Sequence, residues 1–285
     1  MVAIQLLCAT MAQATEFEIS GITYTITDAA AKTVGVTYYD DSQEISGNVV
    51  IPSSISYNGV IYNITSISDG AFSGCNGITS IEIPNSVTKI GTDAFYRCGG
   101  LKSVTIDCKN VGSWFSDSSI KEFIIGNNVT TIEKGAFYSC NSLTSVTIGN
   151  RVRIIGKTAF RDCRSLTSIT IPKNVTIIEN YAFYNTGLTE IYSMSSSPAT
   201  IDLGTFNYFS ATLYVPIGAK AAYQAADYWK EFSNIVEMDF TGIDDIEAED
   251  SFQGIKDAYY ELNGRIAVSP TKGIYIRNGK KIVVE

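Results

Sequence analysis

The sequence predicts a mainly β fold, a leucine-rich-repeat solenoid of about 23-residue rungs with short helical or 3₁₀ turns, capped at both ends and followed by a small C-terminal β appendage. Three observations predict the solenoid. An Ala-Phe pair recurs at Ala71-Phe72, Ala94-Phe95, Ala136-Phe137, Ala159-Phe160 and Ala182-Phe183, in steps of 23, 42, 23 and 23 residues. The long step is a 19-residue rung plus a 23-residue one, because an extra strand start at Ile120 divides it. Between the pairs, apolar residues alternate with Ser and Thr, the period-two pattern of a strand. A unit this short cannot bury its own apolar face, so it must stack on its neighbours.

The chain divides accordingly. Residues 1–14, "MVAIQLLCATMAQA", form an apolar run ending in Ala12-Gln13-Ala14, the pattern of a cleaved secretory signal peptide. The run is too short to span a bilayer, so no membrane span is expected in the mature chain. Residues 15–68 read as an N-terminal β cap and first partial rung. Phe17, Ile19, Ile22, Tyr24 and Ile26 alternate with polar residues, as do Val34, Val36 and Tyr38. Asp40-Asp41 and Asn58-Gly59 mark turns, the second a tight hairpin.

Residues 69–197 hold the repeats, with strand starts at Ile78, Leu101, Ile120, Leu143, Leu166 and Leu188. In "LTSITI", Leu166, Ile169 and Ile171 point into the rung and Ser168 and Thr170 out of it. Val175 and Ile178 make a second inward pair, and the Ala-Phe turn brings Phe183 back over the core. Six or seven rungs stacked ~4.8 Å apart make a curved rod of roughly 30 Å. The rung 101–119 is four residues short and lacks the Ala-Phe pair; Trp114 and Phe115 are the residues available to plug the gap. Residues 198–238 read as a C-terminal cap, with a strand at Leu213–Val215, a turn at Pro216 and Gly218, and a helix over 219–232. Residues 239–257 form an acidic linker, and 258–285 carry two alternating strands with Asn263-Gly264 and Asn278-Gly279 as turns.

The rung "LTSITIPKNVTIIENYAFYN" resembles the BspA-like class of bacterial leucine-rich repeats, and the likeness covers about residues 45–238. The tail, with "LNGR", "KGIYI" and "NGKKIVV", resembles the C-terminal sorting domain of type IX secretion cargo. These resemblances imply a Gram-negative protein, secreted or held on the outer cell surface. They further imply adhesin-like binding of host matrix or cell-surface proteins, and contact with the secretion machinery through the tail.

Composition narrows the chemistry. The chain has 21 basic and 29 acidic residues, a net charge of −8, and no histidine. Nucleic-acid binding needs clustered Lys and Arg to displace counterions, so it is not expected. Without histidine the commonest general base and metal ligand are gone. No pair of carboxylates is placed to act on one bond, and no nucleophile or phosphate-loop motif is present. Catalytic residues, cofactors and metals are therefore not assigned. Cys75, Cys98, Cys140 and Cys163 each follow the repeat position of phenylalanine by three residues, and Thr186 takes that place later. Their spacing suits a reduced, buried ladder rather than a metal site or disulfides. Cys108 stands off this register and is read as structural.

Two exposed columns are the candidate binding surfaces. Strand alternation puts Ser80, Glu82, Ser103, Thr105, Glu122, Ile124, Ser145, Thr147, Ser168, Thr170, Glu190 and Tyr192 on one face. A stripe of hydroxyls and carboxylates suits a polysaccharide or an extended peptide, although Ser and Thr are also ordinary soluble strand residues. The second column follows the repeat phenylalanine: Ser73, Tyr96, Tyr138, Arg161 and Tyr184. Tyrosines on a rim anchor ligands because one end of the ring is apolar and the other polar.

Overall fold

A computed structural model describes residues 15–39, 46–115, 118–202 and 204–240, and the backbone of four short strands between 259 and 284. The signal-like segment 1–14, the Asp40-Asp41 turn, most of the acidic linker and the turns at Asn263-Gly264 and Asn278-Gly279 lie outside the described residues.

The N-terminal strands β1 (Glu16–Ile19), β2 (Ile22–Asp28) and β3 (Thr33–Tyr39) form an antiparallel meander. Next come β4 (Gly47–Val50), β5 (Ser54–Tyr57) and β6 (Val60–Ile67), the last two closed as a hairpin through Asn58 and Gly59. Both turn residues have positive φ, 48° and 76°, which is why Asn-Gly serves here. Phe17 stacks on Tyr57 with centroids 3.9 Å apart, fastening the hairpin to the first strand. The cap is joined to the array by parallel pairing at two places, which blunts the first rung's open edge. There β4 pairs with β7 (Ile78–Ile83), and β6 pairs with β8 (Lys89–Ile90).

Long and short strands then alternate. After β7 come β8 (Lys89–Ile90), β9 (Ser103–Ile106), β10 (Asn110–Val111), β11 (Glu122–Ile125) and β12 (Thr131–Ile132). They are followed by β13 (Ser145–Ile148), β14 (Ile154–Ile155), β15 (Ser168–Ile171), β16 (Ile177–Ile178) and β17 (Glu190–Ser193). The long strands build one side of a β-solenoid of about 7 turns with roughly 23-residue spacing. The short strands build a second side. The Ala-Phe turns form the third.

On the turn side, backbone amides alternate between two partners. Ala71 and Ser73 donate to carbonyls three residues back, Ser68 and Gly70. Phe72 and Gly74 donate across to Ala94 and Tyr96 of the next rung, at 2.8 Å each. The predicted helical turn is thus a run of 3₁₀-type bonds interleaved with a parallel ladder, and it satisfies backbone groups in both directions.

The repeat phenylalanines stack down the interior. Phe72–Phe95, Phe137–Phe160, Phe160–Phe183 and Phe183–Phe206 lie 4.9–5.4 Å apart with rings within 9° of parallel. In the short rung Phe115 takes the missing place, 5.0 Å from Phe95. Phe123, where other rungs have Ile or Val, then wedges edge-on between Phe115 and Phe137. The cysteines line the same interior. Thiols of Cys98, Cys140 and Cys163 donate to the carbonyls of Phe72, Phe115 and Phe137, the column residues of the preceding rung, at 2.9–3.1 Å. Cys75, Cys98, Cys108, Cys140 and Cys163 are all buried and free of disulfides. Burial pushes the Cys108 thiol up to about 12 and holds Cys163 above its ordinary range.

Two ladders have breaks. The second-side ladder is divided at the short rung, with β8 joined to β6 and β10 opening a separate sheet β10-β12-β14-β16. The long-strand sheet divides between β13 and β15. There Pro172 stands where Gly126 and Asp107 donate to Ile106 and Ile83, and proline has no N–H to donate to Ile148. Val146, inward by register, is only half-buried, whereas Val104 and Ile191 are fully buried.

The C-terminal segment departs from expectation. The repeat stack continues to Phe206, and β18 (Thr212–Pro216) and β19 (Asn234–Met238) extend the parallel sheet as β15-β17-β18-β19. The helix expected over 219–232 shrinks to α1 (Lys220–Ala225) and a 3₁₀ turn at Trp229–Glu231. Ala226 is extended and Tyr228 has φ 64°, which swings Trp229 into the core, where its indole donates to Ala199 O at 2.7 Å. Tertiary packing of one large ring outweighs the helix propensity of an Ala-rich run. The tail holds four strands instead of the two expected: β20 (Tyr259–Glu261), β21 (Ile266–Ala267), β22 (Gly273–Arg277) and β23 (Lys280–Val284). They pair antiparallel in the order β21-β20-β22-β23.

Candidate functional site

Parallel pairing in register turns the outward positions of the long strands into two columns. One runs Asn48, Ser80, Ser103, Glu122, Ser145, and beyond the break Ser168, Glu190, Thr212, Asn234. The other runs Val50, Glu82, Thr105, Ile124, Thr147, then Thr170, Tyr192, Tyr214, Val236. The predicted strand-face residues therefore do share one face. All are exposed or half-buried except Tyr192. Side chains link along the columns: Ser80 donates to Asn48 Oδ1 at 2.8 Å and Asn234 to Thr212 Oγ1 at 3.0 Å.

Tyr192 is a correction. Alternation placed it outward as an exposed residue, yet it is only 7% exposed. Its ring stacks on Tyr214 at 4.7 Å, and its hydroxyl donates to Glu190 Oε2 at 3.1 Å. Burial, with the Glu190 carboxylate beside it, raises its pKa. It braces the face instead of standing free on it. The sequence reading also missed Asn48, Thr212, Tyr214 and Asn234. The signal was present: Ile51-Pro52 and Val215-Pro216 repeat the strand-ending Ile83-Pro84 and Ile171-Pro172.

The rim column is assembled too. Tyr96, Tyr138 and Tyr184 are 49%, 37% and 36% exposed, beside Tyr181 at 36%. Arg161 occupies the column position between Tyr138 and Tyr184. Its guanidinium lies 5.9 Å and 5.4 Å from their ring centroids and 5.8 Å from that of Tyr181, within cation–π reach. Nε donates to Asp162 Oδ2 at 3.2 Å, and Asp162 also accepts from the Asn185 amide. Arg97 lies 5.1 Å over Tyr96 in the same manner.

Both columns offer shallow polar and aromatic contact surfaces. Among the described residues no group of three or more His, Cys, Asp or Glu side chains converges as metal ligands would. No helix among them is long and apolar enough to cross a membrane.

Solved structures similar to this chain are bacterial leucine-rich repeat proteins. A leucine rich cell surface protein from Faecalibacterium prausnitzii is 20% identical over 71% of this chain and 76% of its own, with a TM-score of 0.37. A leucine-rich repeat protein from Eubacterium ventriosum is 27% identical over 59% of this chain and 49% of its own, with a TM-score of 0.46. One from Bacteroides ovatus is 21% identical, covering 78% and 76%, with a TM-score of 0.42. No curated protein matches. The profile of the BspA type leucine rich repeat region matches residues 43–152 and 111–221, more than half of the sequence. The chain belongs to the BspA-type leucine-rich repeat family.

Proposed function

We propose that this is a non-catalytic binding protein of the bacterial cell surface, an adhesin-like module that recognises a protein or glycan through its strand face. The observation that carries this reading is the in-register strand face itself: two columns of hydroxyl, amide and carboxylate groups on a preformed, rigid sheet. A preformed surface loses little conformational freedom on binding, and an extended peptide or polysaccharide would meet a repeat of contacts along it. Copies displayed side by side on a cell would add avidity beyond one-site affinity. Host matrix or cell-surface proteins and polysaccharides are the proposed partners.

In this reading residues 1–14 direct export and the four-stranded tail contacts the type IX secretion machinery. The finished protein is secreted or stays on the outer cell surface. The test is a binding screen of the full chain against matrix proteins and polysaccharides, repeated with Glu82→Lys, Glu122→Lys and Glu190→Lys combined. A saturable ligand lost on charge reversal, with circular dichroism unchanged, supports the proposal. A ligand bound equally by the triple variant removes the strand face from it. Deleting 258–285 tests the tail: periplasmic retention is expected, and normal display would sink the sorting assignment.

A further inference from the structure

The rung 143–165 is charged unlike its neighbours. It holds Arg151, Arg153, Lys157, Arg161 and Arg164 against Asp162 alone, five against one, a net +4. The rung before it, 120–142, balances Lys121 and Lys134 against Glu122 and Glu133, and the rung after, 166–187, balances Lys173 against Glu179. The whole chain meanwhile carries −8. Repeat copying cannot produce this difference, because the copied template has other residues there. At the position of Arg151 the flanking rungs have Asn128 and Asn174; at Arg153, Thr130 and Thr176; at Arg161, Tyr138 and Tyr184; at Arg164, Asn141 and Gly187.

The fold places these charges outside the strand face. Arg151 and Arg153 flank buried Val152 and are exposed just before β14. Lys157 is exposed at the next corner, and Arg161 and Arg164 continue along the Ala-Phe turn. They form a belt over two sides of one rung. Among the described residues, Asp162 makes the one side-chain ion pair of the five, with Arg161 Nε, while Glu179 accepts only from the Lys157 backbone N–H at 2.7 Å. Four of the five are arginine, whose planar fork matches the oxygens of a carboxylate or sulfate two at a time. A small anion would meet only one or two of them; a chain crossing the rung would meet all. Tyr138 and Tyr184, exposed on either side of Arg161, add ring surface against which sugar C–H faces pack.

We propose that the belt Arg151–Arg153–Lys157–Arg161–Arg164, with Tyr138 and Tyr184, binds an anionic polysaccharide bearing sulfate or uronate groups. It does not depend on the strand-face reading, since it uses a different surface, and either can fail while the other stands. A phosphate-dense polymer is the poorer fit because the belt is one rung wide and carboxylates Glu133 and Glu179 bound it on both flanks.

The test titrates the full chain with heparin, hyaluronate, neutral dextran, poly-L-glutamate and oligothymidylate at several salt concentrations. The decisive variant returns the rung to its neighbours' template: Arg151→Asn, Arg153→Thr, Arg161→Tyr and Arg164→Asn. Heparin or hyaluronate should bind and dextran should not. The variant should bind at least about tenfold more weakly, with a shallower dependence on log salt. The half-variants Arg151→Asn with Arg153→Thr, and Arg161→Tyr with Arg164→Asn, should each lose part of the affinity. They keep the test decisive if the fourfold change unfolds the rung. Undiminished heparin binding by both half-variants would overturn the proposal, as would tighter binding of polyglutamate or oligothymidylate, or no binding of any polyanion.

Discussion

The short rung 101–119 and the basic rung 143–165 both break the repeat, and they break it in opposite ways. The first departs in length and is repaired inside. Phe115 takes the missing place in the ring column, Phe123 wedges in behind it, and Cys140 finds the Phe115 carbonyl as its siblings find theirs. The second keeps its length and its ring column, with Phe137, Phe160 and Phe183 in regular stacking, while its inward Val146 is only half-buried beside the break between β13 and β15. Its charged departures lie outside, where no acidic residue of the rung offsets them except Asp162. A compensated deviation is what packing demands, because a cavity in a close-packed interior is costly. An uncompensated one on the surface calls for a different cause.

The largest expected effect tests the interior half of this contrast. Phe115→Ala and Phe160→Ala should each cost about 3–5 kcal/mol in urea denaturation, because both rings fill the same column. A loss under about 1 kcal/mol at Phe115 alone would show that the short rung tolerates its gap and that Phe115 does not substitute for the missing ring.

Alkaline pH comes next. Burial holds the Cys108 thiol, in the short rung, to about 12 against an ordinary 9.0. Above about pH 9 the unfolded chain therefore releases protons that the folded chain retains. This stabilisation is complete below that pH and falls as pH rises toward 12, by up to about 1.4 kcal/mol per pH unit for one thiol. Tyr24 and Tyr223, raised from 10.0 to about 12 by burial, add to the same fall at the upper end. Cys108→Ala should flatten the decline between pH 9 and 11, and an unchanged slope would remove Cys108 from the explanation. At pH 8 the buried thiols should resist a disulfide reagent until the chain is unfolded.

The smallest expected effect is on stability at the basic rung. Returning it to its neighbours' template should shift unfolding by no more than about 0.5 kcal/mol per substitution, since the replaced side chains are mainly exposed. A shift of several kcal/mol would mean that the arginines are structural and would erase the contrast.

Much of this was legible beforehand because a copied rung exposes its inner positions by comparison with itself. The column of Phe72, Phe95, Phe137, Phe160 and Phe183, the inward Leu166, Ile169 and Ile171, and the Asn58-Gly59 hairpin all follow from local pattern. Three features depend on contacts that no single rung states. Tyr192 alternates outward, and only pairing with the next strand reveals Tyr214 stacked against it. Trp229 sits in a run that reads as helix, and its place is set by a carbonyl thirty residues away, Ala199 O. The division of the long-strand sheet between β13 and β15 lies at the seam between two rungs, and neither rung's own pattern states it. Of the candidate site, the two columns were readable from alternation and spacing. The grip of Tyr138, Tyr181 and Tyr184 around Arg161 was not, because it is made by side chains from three successive rungs.

The most direct measurement sets two variants side by side: Phe115→Ala, and the template-restored rung carrying Arg151→Asn, Arg153→Thr, Arg161→Tyr and Arg164→Asn. Each is assayed for thermal midpoint and for heparin binding well below that midpoint. The expected result is a clean exchange, in which Phe115→Ala lowers the midpoint and keeps the affinity while the restored rung keeps the midpoint and loses the affinity. Loss of stability in the restored rung with heparin still bound would contradict the account and make the basic rung one more structural variation.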